Sequence, residues 1–349
     1  MSVSDLTPDT DGTTEALAPS LLRSSAIVGL GTALSRITGF VRLAAIAYAL
    51  GGLALASTYG YANETPNMVY ELLIGGVLTA TLVPLFVQHL ETEDDDAVSA
   101  IVTVSTVLLL VGTVVAVLVA PWIARLYALR APEAGRATQQ AVATGLLRLF
   151  MPQMFFYGIT ALATALLNAR RRFAAAAFAP IINNVVVIAL FVSLPRLVSG
   201  PLTLRRVDND TSLLVLLGLG TTAGIAAMAI VLLPALGRAG IRLRVLFGWR
   251  HPAVVTLMRL SGWTVGYVIT NQIALWVVLL LANGKTGGVF AYLAAYAFFQ
   301  LPHGLFAVSL MTAIAPELAS AAARGDLEAM RDRLSLGLRM ITVVVLPAA

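Results

Sequence analysis

Apolar runs of span length recur along the whole of this chain, and their length constrains the fold more than any other feature. About twenty apolar residues, rising 1.5 Å each, cross the hydrocarbon of a bilayer as a helix. Runs of this kind stand at roughly 24–50, 56–88, 99–124, 139–167, 174–195, 212–236, 253–283, 287–320 and 334–349. Strands of a membrane barrel would be half as long and would alternate in polarity. The runs therefore predict an all-α, polytopic membrane protein of nine spans. Composition agrees: 58% of the 349 residues are hydrophobic and 12% are charged, whereas about a quarter are charged in a soluble domain.

The connections between runs are short and hold the charge: EDDD at 93–96, RRR at 170–172, RRVDND at 205–210 and RLRVLFGWR at 242–250. The formal net charge is +5. Its arginines are scattered between apolar runs instead of clustering on one polar element, so they read as topology signals and not as a nucleic-acid surface. With the N-terminus inside, Arg23, Arg170–Arg172, the Arg238–Arg250 connection and the Arg324–Arg333 connection face the cytoplasm. Fewer basic residues fall on the other side, at Arg125–Arg136, Arg196–Arg206 and Lys285, so the bias favours a cytoplasmic N-terminus. Residues 1–20 are polar and acidic, lack the basic start of a secretory signal, and read as a disordered cytoplasmic tail. The last run begins near Leu334 and reaches Ala349 without a polar flank, as expected of a C-terminally truncated piece of a longer protein.

Enzymatic patterns are missing. There is no cysteine and no GxSxG, HExxH, Walker or Rossmann fingerprint, so no enzyme activity, metal or cofactor is expected. His89 and His303 have no metal-ligand company. The EDDD run is the one candidate for magnesium in a membrane transferase, but four consecutive acids point in different directions and read as a solvated loop.

The stretch SRITGFVRLAAIAYALGG at 35–52 is apolar enough to span, yet carries Arg36 and Arg42. A central arginine costs about 2.5–3.5 kcal/mol on the insertion scale, so the pair costs about 5–7 kcal/mol. Arg42 cannot easily snorkel, because LAAIAYAL follows it; the expectation is that both face a polar cavity. Six residues place them about 120° apart on a straight helix, and Gly39, after Thr38, is expected to bend or unwind the span so that they converge. Guanidinium suits bidentate binding of phosphate oxygens, so the pair implies an anionic, phosphorylated ligand.

Glu64 and Glu71 are about 20° apart on a helix and share a face. They are expected to pair with Arg36 and Arg42, the other reading being proton or cation coupling. Asn63, Asn67, Asn168, Asn183, Asn184, Asn271, Gln272 and Gln300 read as interhelical glue. A faint echo links TPNMVYELLIGGVLTATLVPLF at 65–86 with LPHGLFAVSLMTAIAPELAS at 301–320. Such Pro- and Gly-interrupted spans point to a transporter built from repeats, with Pro66 and Pro302 beside Gly39 as candidate hinges.

SRITGFVR, TPN, GGVLTATLVPLF, LLNARRRFAAAAFAPIINN and LPHGLFAVSLMTAIAPEL together resemble the MurJ/MviN lipid II flippases of the MOP exporter superfamily. The likeness runs from about Leu21 to the end, over the first nine of fourteen spans expected for that fold. It implies a six-helix lobe at 21–236 and the start of a second lobe at 237–349. By resemblance, the function is movement of undecaprenyl-pyrophosphate-linked peptidoglycan precursor between leaflets of the bacterial plasma membrane by alternating access. The partners would be that glycolipid, the membrane and a coupling cation or the membrane potential, with no nucleic acid. Arg36 and Arg42, with Ser35 beside them, match the family's cavity motif, and Asn67 joins Glu64 and Glu71 in the candidate binding set. Three positions depart from the pattern: Leu43 stands where an acid is usual, Tyr70 and Glu71 where a base is expected, and Tyr296–Ala297 where Asp-Arg is expected. The alternatives are another MOP exporter, for polysaccharide lipid or for drugs, and a membrane-embedded transferase. A neutral balance of Arg36, Arg42, Glu64 and Glu71 argues against a cationic-drug cavity.

Overall fold

The computed structural model describes residues 11–51, 53–71, 82–260, 262–302, 318, 324 and 326–345. Its helices are α1 (Asp11–Leu50), α2 (Ala54–Tyr70), α3 (Val83–Glu91), α4 (Asp95–Ala128), α5 (Arg136–Phe150), α6 (Gln153–Ala169), α7 (Phe173–Leu197), α8 (Leu204–Asn209), α9 (Thr211–Arg238), α10 (Pro252–Leu260), α11 (Gly262–Ala282), α12 (Gly288–Pro302) and α13, which corresponds to Leu327–Val345. No strand occurs among the described residues. Five helical stretches there are long and apolar enough to cross a membrane: Ile27–Leu50, Asp95–Ala128, Arg136–Ala169, Phe173–Leu197 and Thr211–Arg238. The all-helical expectation holds.

Helix boundaries depart from the apolar runs in several places. Helix α1 starts at Asp11, inside the stretch 1–20 expected to be disordered. The 139–167 run divides into α5 and α6 at Met151–Pro152, where proline cannot supply the N–H that a continuous helix needs. The 205–210 connection folds into α8, with Thr203 capping the N–H of Arg206 at 3.3 Å. Span 2 yields α2 and α3, and GGVLTAT at 75–81 lies outside the described residues, as does most of the echo segment after Pro302.

The acidic run is helix-start chemistry. Asp94 caps α4 by accepting from the N–H of Ala97 at 3.0 Å, Asp95 and Asp96 occupy the first turn, and His89 lies 3.2 Å from Asp94. Negative charge there complements the helix dipole. Among the described residues no group of three or more His, Cys, Asp or Glu is placed to hold a metal.

Contacts divide the chain into two compact units, Met1–Gly287 and Gly288–Ala349. In the first, α1 packs chiefly along α7, α7 on α9, α6 on α9, and α5 against α2, α4 and α9. Gly31 is where α1 comes closest to α7: a Cβ on it would lie 2.7 Å from the Ala177 Cβ and 3.0 Å from that residue's backbone. In the second unit, Tyr292 and Tyr296 stack on α12 and the Gln300 amide donates to the Tyr296 hydroxyl at 2.6 Å.

Helix α4 is about 50 Å long at 1.5 Å per residue. At its start, Ser99 and Thr103 bond the extended backbone after α9: the N–H of Arg244 donates to Ser99 at 3.2 Å and that of Leu246 to Thr103 at 3.1 Å. At its end, Asn283, just after α11, donates to the Tyr127 carbonyl at 2.9 Å and accepts from Gln139 at 2.9 Å. The Arg238–Arg250 connection and Lys285 therefore lie at opposite ends of the bundle. Arg171, Arg172 and Arg238 line one cavity, so the α6–α7 and α9–α10 connections share a face, as the charge pattern predicts.

Two predictions follow from this packing. The chain has no cysteine, so single cysteines report sidedness without background: Arg170→Cys and Asp208→Cys should label from opposite faces of the membrane, and labelling from one face would break the assignment. Gly31→Ala should lower thermal stability in detergent by about 1–3 kcal/mol through overpacking against Ala177. Gly39→Ala, whose Cβ would meet only the Asn184 amide at 3.7 Å, should not.

Candidate functional site

Asn184 on α7 fixes the stretch of α1 that carries the arginines. Its amide donates to the Ser35 carbonyl at 3.1 Å and to the Thr38 hydroxyl at 2.9 Å. Thr38 can also donate back to the carbonyl of Leu34, 2.8 Å away. Helix α1 runs unbroken through Gly39, without the unwinding expected there. The physical reason is that Thr38 and Asn184 tie this turn to α7, and Gly39 gives Asn184 room to approach.

An unbroken helix still sets both arginines off its main exposed apolar flank. Leu30, Leu34, Ile37, Val41 and Tyr48 are exposed and lie on one flank of α1. At 100° per residue, Arg36 and Arg42 each lie about 110–130° from the middle of that flank, on either side of the line through Gly39. Arg36 is exposed and Arg42 half-buried.

The second half of α2 completes the arrangement. From Asn63 to Glu71 its partly accessible residues are Asn63, Glu64, Asn67, Val69 and Glu71, and the rest are buried. Except for Val69 these form one polar stripe within about 100° of arc. The charge of Arg42 reaches Glu64 and the hydroxyls of Tyr59 and Tyr157. No direct ion pair joins Arg36 or Arg42 to Glu64 or Glu71 among the described residues. The structure thus brings Arg42 together with Glu64. It places Arg36 elsewhere on α1.

Pro66 is buried inside a continuous α2, and Pro302 is the final residue of α12. Tyr59 and Tyr157 are site neighbours that the sequence reasoning passed over. Tyr59 is 2% exposed, bonds Thr221 across 2.9 Å and meets Phe150 and Phe191 edge-on. Below it the fully buried Gln153 donates to Thr222 at 3.2 Å and to Asn63 at 3.5 Å. The polar side of α2 is thereby linked to α6 and α9. Their signal in the sequence was two tyrosines and a glutamine at span depth.

The model of the MurJ family, described as lipid II flippase MurJ, matches residues 46–349. The chain belongs to the MurJ family. Among relatives, it is 27% identical over 342 residues to a probable lipid II flippase MurJ of Vibrio cholerae, covering 94% of this chain and 62% of that protein. It is 30% identical to a probable lipid II flippase MurJ of Rhizobium meliloti, covering 95% and 61%. A lipid II flippase MurJ of Burkholderia cenocepacia is 28% identical, with 94% and 63% covered. A solved lipid II flippase MurJ in an inward closed conformation superposes with a TM-score of 0.69 at 19% identity, covering 90% of this chain and 62% of that one, which shows a shared fold. The chain thus spans about 62% of the length of the MurJ relatives it matches. The Ser35–Arg42 motif precedes the segment matched by the MurJ family model, and the protein is a multi-pass membrane protein.

Removing the tie between α1 and α7 should destabilise the site without touching its charge. Asn184→Ala should cost about 0.6–1.7 kcal/mol, the range for interhelical hydrogen bonds in a membrane, read as a lowered melting temperature in detergent. Arg42→Ala, which removes no hydrogen bond among the described residues, should leave that temperature within error.

Proposed function

We propose that this protein is a lipid II flippase of the bacterial plasma membrane, with its N-terminus in the cytoplasm. It moves undecaprenyl-pyrophosphate-linked peptidoglycan precursor from the inner to the outer leaflet by alternating access, as a transporter and not an enzyme. Residues 21–236 are its first six-helix lobe and 237–349 open the second. Family membership supports the reading. The observation that carries it is Arg42, a half-buried guanidinium at span depth without an ion pair or hydrogen bond among the described residues.

An arginine left so is expensive unless a ligand completes it. Its planar fork fits two oxygens of a phosphate. Arg36, on the other side of Gly39, takes the second phosphate of a pyrophosphate, with Ser35 beside it. The polar stripe of Asn67, Glu64 and Glu71 meets the sugar-bearing part of the headgroup, where carboxylates and amides accept and donate hydrogen bonds. Glu64 also keeps the resting site near neutrality while Arg42 is unliganded.

The test is complementation of a bacterium depleted of its own flippase, with lipid-linked precursor measured on each leaflet. Arg36→Ala and Arg42→Ala should each abolish rescue at normal membrane levels of protein. Arg42→Lys keeps the charge but loses the fork, and should slow translocation about tenfold, the factor for roughly 1.4 kcal/mol. If both alanine variants support growth, the arginines are structural and the phosphate-site reading fails.

A further inference from the structure

A second cationic feature of the first unit lies apart from Arg36 and Arg42. A cavity of about 330 Å³ opens where α1, the α6–α7 turn and the end of α9 meet. Arg171, Arg172 and Arg238 line it together with Ile27, Leu167 and Phe173. All three arginines are exposed, and no acid is among the described residues that line the cavity. None of the three forms an ion pair among the described residues.

The local fold aims these charges. After α6 the N–H of Arg172 bonds the Leu167 carbonyl at 2.8 Å and that of Arg171 bonds Asn168 at 2.9 Å, closing the helix in the manner usually completed by glycine. Arg171 holds the left-handed conformation there, at φ 56°. The chain then turns straight into α7, whose start has no side-chain cap. Arg238 arrives independently, from the last turn of α9. Two elements far apart in sequence thus deliver guanidiniums to one concavity at span ends, against an apolar wall.

Topology signalling explains why arginines occur in these connections, but not why three of them line one cavity. The volume sits at the low end of pockets that hold small molecules, about 300–1,000 Å³. It matches a headgroup better than a whole glycolipid. Cationic rim, apolar wall and position at the ends of three spans together fit an amphiphile whose phosphate faces the arginines. Basic pockets between helices on the cytoplasmic side recognise anionic headgroups in this way.

We propose that this cavity binds the phosphate of an acidic phospholipid from the adjoining leaflet, at a site separate from the one that takes the transported substrate. The lipid would tie α1, α7 and α9 together at that face. Arg171 and Arg172 supply the α7 side and Arg238 the α9 side, so all three should matter.

The experiment uses the chain purified in detergent, with native mass spectrometry of bound lipid as the readout. Phosphatidylglycerol and phosphatidylcholine are added as separate probes, and inorganic phosphate as a competitor. Wild type should retain phosphatidylglycerol over phosphatidylcholine. Arg172→Gln and Arg238→Gln should each weaken that retention roughly fivefold, the factor for one arginine at a membrane surface. Arg171→Gly should do the same while relaxing the left-handed backbone, so its loss of lipid cannot be put down to poor folding. Equal retention by wild type and the triple variant would overturn the proposal, as would equal retention of the two lipids. Displacement of the lipid by millimolar inorganic phosphate would assign the cavity to a soluble anion and overturn the lipid reading. The readout is independent of transport, so the proposal stands or falls separately from the flippase function.

Discussion

The seam between α1 and α7 holds the first unit in register. On one side Gly31 lets the two backbones approach until only hydrogen fits opposite Ala177. Two turns on, Asn184 spends its amide on the Ser35 carbonyl and the Thr38 hydroxyl. In lipid there is little hydrophobic force between helices, so close packing by small residues and a few polar bonds must do the joining. Because that seam fixes the rotation of α1, it also fixes where Arg36 and Arg42 stand. The apolar flank from Leu30 to Tyr48 turns outward, and the charges turn away from it.

A second set of polar bonds runs through the bundle. Tyr59 meets Thr221, Gln153 meets Thr222 and Asn63, and Asn283 joins Gln139 to the Tyr127 carbonyl. Each would be costly if left unmade in a water-poor interior. Together they specify one arrangement of α2, α5, α6, α9 and α11 among many that apolar packing alone would allow. Gln153 and Asn183 each keep one buried oxygen without a partner. Asn183 packs so closely on α9 that a Cβ at Gly224 would lie 2.6 Å from its side-chain oxygen.

Electrostatics divide the molecule differently. At span ends, charges serve helix termini: Asp94 and Asp210 cap α4 and α9, and Arg238 sits in the last turn of α9. At span depth the charges are few, and Arg42 and Glu64 interact without a direct ion pair among the described residues. Separation of that kind leaves a guanidinium open to a ligand while its charge stays compensated.

Sequence alone determined the helical class and the membrane setting, and it grouped the α6–α7 and α9–α10 arginine connections on one face, because hydrocarbon forces backbone bonds inward and makes span length and charge placement nearly sufficient. It also singled out Arg36, Arg42, Glu64 and Glu71, since an ionisable group in an apolar run stands out against its neighbours. Only tertiary structure decided how these residues combine. The rotation of α1, set by Gly31 and Asn184, brings Arg42 rather than Arg36 to Glu64. Tyr59 and Tyr157 became neighbours of that site through the packing of α2 on α6, and the cavity of Arg171, Arg172 and Arg238 formed because α6, α7 and α9 end together. Those outcomes depend on contacts between residues distant in sequence, which no local period or motif encodes.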